Sequence, residues 1–449
     1  MTLLGYFAAR SHSLGQAVPT AKYRHRHLCP KPLMLVGWTL GSDPFSVSAL
    51  AWGHHPDDFR FAVAGDPRDF DLEVDLLRTL AQDFNPWFES FKERGEAPQV
   101  IVANRATIEV LWRLGRRFAY LEGRIDDAVV RLARYLQLLT HHADFPGQQL
   151  IVSLTDLINE HWAIELSGEE SQSLPVLDAY LNPPPGSTGF AVVESLEQSQ
   201  LHTIGPHPTS LEDDPLQTLL EQFKQVRQQA PTSLALAPIA AHYRPLLERT
   251  WELNWRCFHR EHQRPPARYV DRRWQEDLRY YRQQAQHLMD GGRMRTRPTV
   301  KAAASDLNKR ESALQQLVTE QALSDPLRML PHLLKHEAVL GLVESLDLTY
   351  IPAGQNKRQP RLVLISPEPC LIPIGTALWW TEAPTGLPWL LDEILTTAPG
   401  LPHRLVLLHQ NNQSTFRRPT PGQTACFSVL THRSPYQMQL PPQTPWTHC

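Results

Sequence analysis

The chain has 449 residues, 42% hydrophobic and 20% charged, with a formal net charge of -3. That length is too great for one core, so two to four domains are expected, and the composition is too apolar for a disordered chain. Near-neutrality excludes a protein that coats nucleic acid by bulk charge, so any phosphate-binding surface must be local.

The five cysteines (Cys29, Cys257, Cys370, Cys426, Cys449) form no C-x-x-C pair, and their odd number argues against a disulfide framework, which reads as a reducing compartment. No apolar run approaches the roughly 20 residues needed to span a bilayer. A cytoplasmic protein with no membrane partner is expected.

Residues 1–27 read as an N-terminal extension. The apolar runs Pro32–Leu40, Phe45–Trp52 and Phe59–Ala64, each bounded by turn residues, predict three neighbouring strands. From Asp69 the residues Leu72, Leu76, Leu77, Leu80 and Phe84 recur at helical spacing, with acids in the first turn where the helix dipole favours them. A buried strand Gln99–Ala103 and amphipathic helices Thr107–Tyr120 and Asp126–His141 follow, so residues 28–205 are expected to form an α/β domain. Asn182–Gly186 and Gly205–Pro208 read as linkers.

Residues 206–346 are expected to form a helical bundle or stalk, from the segments Leu216–Gln229, Ala240–His262, Ala267–Met289, Ala302–Leu323 and Leu327–Leu346, punctuated by Pro265-Pro266 and Gly291-Gly292. Residues 347–449 switch to short strand-like runs at Leu348–Ile351, Arg361–Ile365, Leu405–His409, Cys426–Leu430 and Tyr436–Leu440, expected as a small β-barrel or sandwich. The fold class is therefore α/β plus α plus β, in several domains.

The acids Asp71 and Glu73 form an Asp-x-Glu pair, which on a strand would hold Mg or Mn for nucleolytic chemistry. Here the pair falls in the first turn of the predicted helix, where side chains two residues apart diverge by about 200°. A metal-dependent nuclease built on Asp71, Glu73, Asp127 and Asp156 stays open as an alternative. His25, His27, His54, His55, His141 and His142 lack metal-ligand spacing and read as ordinary core or surface histidines, so no metal or other cofactor is expected outside the nuclease alternative. No P-loop occurs, and no serine or cysteine has the spacing of a nucleophile elbow.

Positive charge concentrates between Trp251 and Arg310. Arg256, Arg260, Arg264, Arg268 and Arg272 are spaced by four, interleaved with aromatic residues and broken at Pro265-Pro266; nearby acids offer an ion-paired helix face as the competing reading. Arg272, Arg273, Trp274, Arg293, Arg295, Arg297, Lys301, Lys309 and Arg310 are the candidate nucleic-acid-binding residues.

With these pieces in view, residues 28–345 resemble the region upstream of the motor in bacterial RecB-like nuclease and superfamily I helicase fusions. The resemblance rests on Pro32–Leu40 followed by Phe45–Trp52, the helix from Asp69, Gln99–Ala103 leading into Thr107–Leu114, the run Ala133–Leu139, and Ser153–Leu157. Pro421–Phe427 is similar to the small barrel that precedes the motor in related helicases. It implies a ribonuclease-H-like domain, a helical stalk and a barrel. Active members would carry Asp-x-Glu on the first strand, whereas Pro32–Leu40 has no carboxylate, so no catalytic residue carries over.

The expected function is a non-catalytic nucleic-acid-binding or scaffolding subunit of a DNA-processing or phage-defence complex, working with a P-loop ATPase or helicase partner. The alternatives are the metal-dependent nuclease and a protein-interaction module without nucleic-acid affinity.

Overall fold

The computed structural model describes residues 3–164, 170–199, 204–208, 210–227, 232–294, 299–395, 402–410 and 416–431. The protein is mixed α/β, with 12 α-helices and three sheets among the described residues. It divides into two compact units: Met1–Pro266 with Val270–Pro298, and Ala267–Tyr269 with Thr299–Cys449.

In chain order the first unit comprises α1 (Leu3–Leu14), β1 (Val18–Pro19), β2 (Leu33–Leu40), β3 (Asp43–Gly53), β4 (Arg60–Val63), α2 (Phe70–Arg94), β5 (Val100–Val102), α3 (Arg105–Phe118), α4 (Asp127–Ala143), β6 (Ile151–Ser153), α5 (Leu154–His161) and β7 (Trp162–Ala163). Then come α6 (Leu174–Leu181), α7 (Gly189–Ser199), α8 (Ser210–Val226), α9 (Thr232–His262) and α10 (Val270–Met289).

Its main sheet has the order β4-β3-β2-β5-β6, with β2, β3 and β4 antiparallel and β5 and β6 parallel to β2. β1 pairs with β7, tying an N-terminal segment to the end of α5. Every residue of β2 is buried because both faces of the sheet are covered. Leu33 and Leu35 pack with α2, α3, α4 and α10, whereas Met34, Val36, Trp38 and Leu40 pack with α5, α6, α8 and α9. A strand covered on both faces reads as a continuous apolar run, which is how it stands in the sequence.

Helix α2 starts where Asp69 accepts from the amides of Asp71 and Leu72, and ends at Gly95 with φ 73°, a left-handed stop that glycine adopts without strain.

The helices of residues 206–346, expected as a domain of their own, are shared between the two units. Leu216, Leu220 and Phe223 of α8 and Ile239, Tyr243, Leu247 and Trp251 of α9 bury their apolar stripes against the second face of the sheet, which would otherwise expose Val36 and Trp38.

The second unit contains α11 (Val300–Ser324), α12 (Pro326–Leu334), β8 (Ala338–Asp347), β9 (Arg361–Ser366), β10 (Ala377–Trp380), β11 (Trp389–Leu395), β12 (His403–His409) and β13 (Thr424–Ser428). Its six strands are antiparallel and close in the order β10-β11-β12-β9-β8-β13 around Val343, Leu362, Leu364, Leu378, Trp389, Leu405, Leu407 and Phe427.

Leu327–Leu346, read from sequence as one helix, is instead α12 followed by β8. The break falls at His336, whose φ of 57° ends the helix. The strand Leu348–Ile351 is a turn region, and Tyr436–Leu440 lies outside the described residues. Gly341 lets β8 approach β9, since a Cβ there would lie 2.5 Å from the Ile365 carbonyl oxygen.

Candidate nucleic-acid interface

Strand order in the main sheet reverses between β2 and β5, and the crevice at the carboxyl ends of such strands is the usual ligand site of open α/β sheets. Here that crevice is closed by the chain itself. The Thr39 amide and hydroxyl both donate to the Pro206 carbonyl, at 2.7 and 2.9 Å, and Asn104 Nδ2 donates to the Gly205 carbonyl at 2.8 Å. Gly205 sits so tightly that a Cβ would meet the Gly37 carbonyl oxygen at 2.2 Å. The segment Gly205–Pro208, expected as a linker, is therefore a fitted plug. The side chains that hold this plug, Thr39 and Asn104, are both neutral.

Beside the plug, arginines cover exposed aromatic rings. The Arg113 guanidinium lies 4.0 Å from the Phe45 ring centroid, Arg116 lies 4.9 Å from Trp112, and Arg117 lies 5.8 Å from Phe70. Phe45, Trp112 and Phe70 remain 56%, 42% and 38% exposed, large values for such side chains and costly in water unless something covers them. The three arginines lie on α3, and the rings come from the start of β3, from α3 and from the start of α2. Among the described residues Arg113 and Arg116 make no ion pair, so their charge is available to a ligand. His207 of the plug is held below the usual histidine range by burial and by the neighbouring Arg113 cation.

Glu73 marks the buried margin of this patch. Its carboxylate is 2.6 Å from Arg117, yet the Glu73 side chain is wholly buried. Burial pushes its pKa up to about 7, outweighing the attraction of Arg117, and Asp43 adds to the rise. A folded-state pKa above the unfolded one favours the protonated native state. The stabilisation is therefore complete below the ordinary glutamate range and is lost as pH rises to about 7. Glu73→Gln, neutral at every pH, should remove this dependence. Urea denaturation at pH 5 and pH 8 should show the wild type losing on the order of 3 kcal/mol more than the variant between them, at about 1.4 kcal/mol per unit; equal losses would rule the assignment out.

The four acids of the nuclease alternative do not converge. Asp71 is exposed in the first turn of α2, Glu73 turns inward, Asp127 is exposed at the start of α4, and Asp156, at the start of α5, faces Arg105 at 3.9 Å. No group of three or more His, Cys, Asp or Glu side chains suited to a metal occurs among the described residues. The donor set does not fit a Mg or Mn pair.

Two of the histidines singled out in the sequence, His27 and His142, are packed into the fold. His27 stacks on Trp274 at 4.3 Å and burial lowers its pKa to about 4, while His142 Nε2 is 2.7 Å from Asp277.

The expected basic surface is largely absorbed in packing. Arg256 and Arg260 both bind Asp178, Arg264 donates to the Ala21 carbonyl, and Arg272 pairs with Glu276. Arg273 and Trp274, expected at the surface, are buried, Arg273 donating to the His25 carbonyl at 2.7 Å, and neither can meet a ligand. Arg293 pairs with Glu122. Arg295 and Arg297 lie outside the described residues. Lys301, Lys309 and Arg310 lie on α11 in the second unit, where Lys301 and Lys309 are exposed and Lys309 is 3.5 Å from Asp306.

Sequence reasoning passed over Trp112, Arg113 and Arg116. The signal was the helical run Trp112-Arg113-Leu114-Gly115-Arg116-Arg117, whose i, i+4 spacing puts Trp112 beside Arg116.

No helix among the described residues is long and apolar enough to cross a membrane. Comparison of the chain with known family profiles, curated proteins and solved structures finds no match.

Proposed function

We propose that the first unit is a ribonuclease-H-like domain that has kept its fold and lost its chemistry. On this reading the protein is a non-catalytic nucleic-acid-binding or scaffolding subunit of a DNA-processing or phage-defence complex, working with a separate ATPase or helicase in a cytoplasmic setting. A fold can outlive its reaction and persist as a binding surface.

The antiparallel meander β4-β3-β2 joined to parallel β5 and β6 supports the domain reading, and the closed barrel of the second unit supports kinship with helicase-associated barrels. The observation that carries the functional reading is the set of exposed rings under Arg113, Arg116 and Arg117, placed beside a switch-point crevice filled by Gly205 and Pro206. Arginine neutralises phosphate and aromatic rings stack unpaired bases, so the patch suits single strands or splayed ends.

The test is fluorescence anisotropy with labelled single- and double-stranded DNA and RNA over a salt series, alongside incubation with the same substrates in manganese. Salt-dependent binding that favours single strands, with no cleavage, is expected. Absence of binding at low salt would discard the reading, as would cleavage abolished by Asp71→Ala.

A further inference from the structure

We propose that the second unit holds a binding pocket for one nucleobase and its attached phosphate, presented either by a free nucleotide or by an unstacked residue of a single strand. The pocket is distinct from the α3 patch and lies wholly within this unit.

A cavity of 440 Å³ opens beside the barrel where β10, β11 and β12 meet the segment after β10. That volume falls within the roughly 300–1,000 Å³ typical of small-ligand sites. Its floor is aromatic and rigid, because Trp380 and Trp389 belong to the barrel core. His409 stacks on Phe416 at 4.0 Å with planes 5° apart, and the Trp389 ring is 4.6 Å from the same imidazole. Tyr269 and Leu387 complete the walls.

The rim carries charge. Arg268 donates to the carbonyls of Thr381, Glu382 and Leu323 at 2.9, 3.3 and 3.2 Å, so it pins the rim while its positive charge stays uncompensated by those neutral groups. Arg417 lies 5.7 Å from the Trp380 ring and 3.4 Å from Glu382, with the two charged side chains 67% and 52% exposed. An exposed pair of that length contributes little, so an incoming phosphate displaces Glu382 from Arg417 readily. Two arginines against one acid leave the rim net positive.

The three features point to one ligand chemistry. The aromatic lining favours a planar heterocycle, which packs on ring edges and faces. The Glu382 carboxylate accepts from an exocyclic amine of a base, and Arg417 and Arg268 attract the phosphate. An aliphatic ligand would leave the rim charges unmatched, and an acidic peptide would leave the rings unused.

Quenching of tryptophan fluorescence and calorimetry with AMP, CMP, GMP and UMP, and with short single-stranded oligonucleotides, test the assignment. The oligonucleotide arm uses the full chain carrying Arg113→Ala and Arg116→Ala, so that loss of the α3 patch and failure of this pocket are told apart. Saturable quenching by mononucleotides marks a free-nucleotide site; quenching by oligonucleotides only marks capture of a base from a strand, and both support the assignment. Arg417→Glu, at an exposed position, should weaken binding by about tenfold or more without changing the melting temperature, and Thr385→Trp, at the exposed rim, should block entry. Absence of binding by every nucleotide and oligonucleotide at millimolar concentration overturns the proposal, as does unchanged affinity in both variants or capture of an aromatic peptide in place of nucleotides.

Discussion

Replacing Arg113 and Arg116 together by Ala is expected to weaken single-strand binding by about 10- to 100-fold at moderate salt and to flatten the slope of log affinity against log salt by about 1.4. The slope follows from counterion release, which for single strands is about 0.7 per phosphate neutralised, taken over two contacts. The cation–π contacts that each guanidinium makes within 5 Å of a ring centroid, at Phe45 and Trp112, belong to the stability of the folded chain. Neither residue makes an ion pair among the described residues, so the folded state should lose no more than about 1 kcal/mol at each site. Anisotropy titrations at several salt concentrations, with a thermal melt of the same variant, give both readings. An unchanged affinity and slope in a normally folded variant would remove α3 from the interface.

Glu261→Ala should cost about 3–5 kcal/mol of folding stability in urea denaturation at pH 7, the largest stability effect we expect from one substitution of a charged residue. Glu261 is fully buried and accepts from His161 Nδ1 at 2.8 Å and Trp162 Nε1 at 2.9 Å, with Arg264 at 3.8 Å. His161 in turn accepts from the His25 amide through Nε2 at 3.1 Å, so the carboxylate ties the loop ahead of β2 to the ends of α5 and α9. Removing it leaves the His161 and Trp162 donors without their acceptor and takes a carboxylate away from Arg264. Burial opposes the charge of Glu261, but the hydrogen bonds from His161 and Trp162 outweigh it and hold its pKa below the usual carboxylate range. The sign is thus opposite to that of Glu73: this stability is present above the ordinary glutamate range and is lost as pH falls through the lowered value. Glu261→Gln keeps one acceptor and should cost less than half as much. A loss under about 1 kcal/mol for the alanine variant would show that the network is not what holds these elements.

How much was legible can be followed element by element. β2 and α2 were readable because their signals are local. The first is an apolar run covered on both faces, and the second combines a 3.6-residue period with an Asp69 cap. Three-residue β6 passed unnoticed as a strand, since Ile151–Ser153 is too short to show any period. The apolar residues Val339 and Val343, four apart, fit a helix as well as a strand, and nothing in the local sequence of Leu327–Leu346 decides between them. The arginine-rich helices misled for another reason: charge counts do not reveal that Asp178 holds both Arg256 and Arg260 or that Arg273 points into the protein.

By itself the sequence determined the mixed α/β class, the continuous apolar run of β2, the first turn of α2 and the want of a carboxylate along the first long strand. Those properties depend on neighbours within a few residues. The tertiary structure alone decided that Gly205 and Pro206 fill the end of the sheet, that α8 and α9 close its second face, and that Phe45 and Phe70 come under Arg113 and Arg117 of α3. Each of these joins residues tens to more than a hundred and fifty positions apart, and such contacts follow from which apolar faces the folded chain must cover, a quantity that no local window of sequence contains.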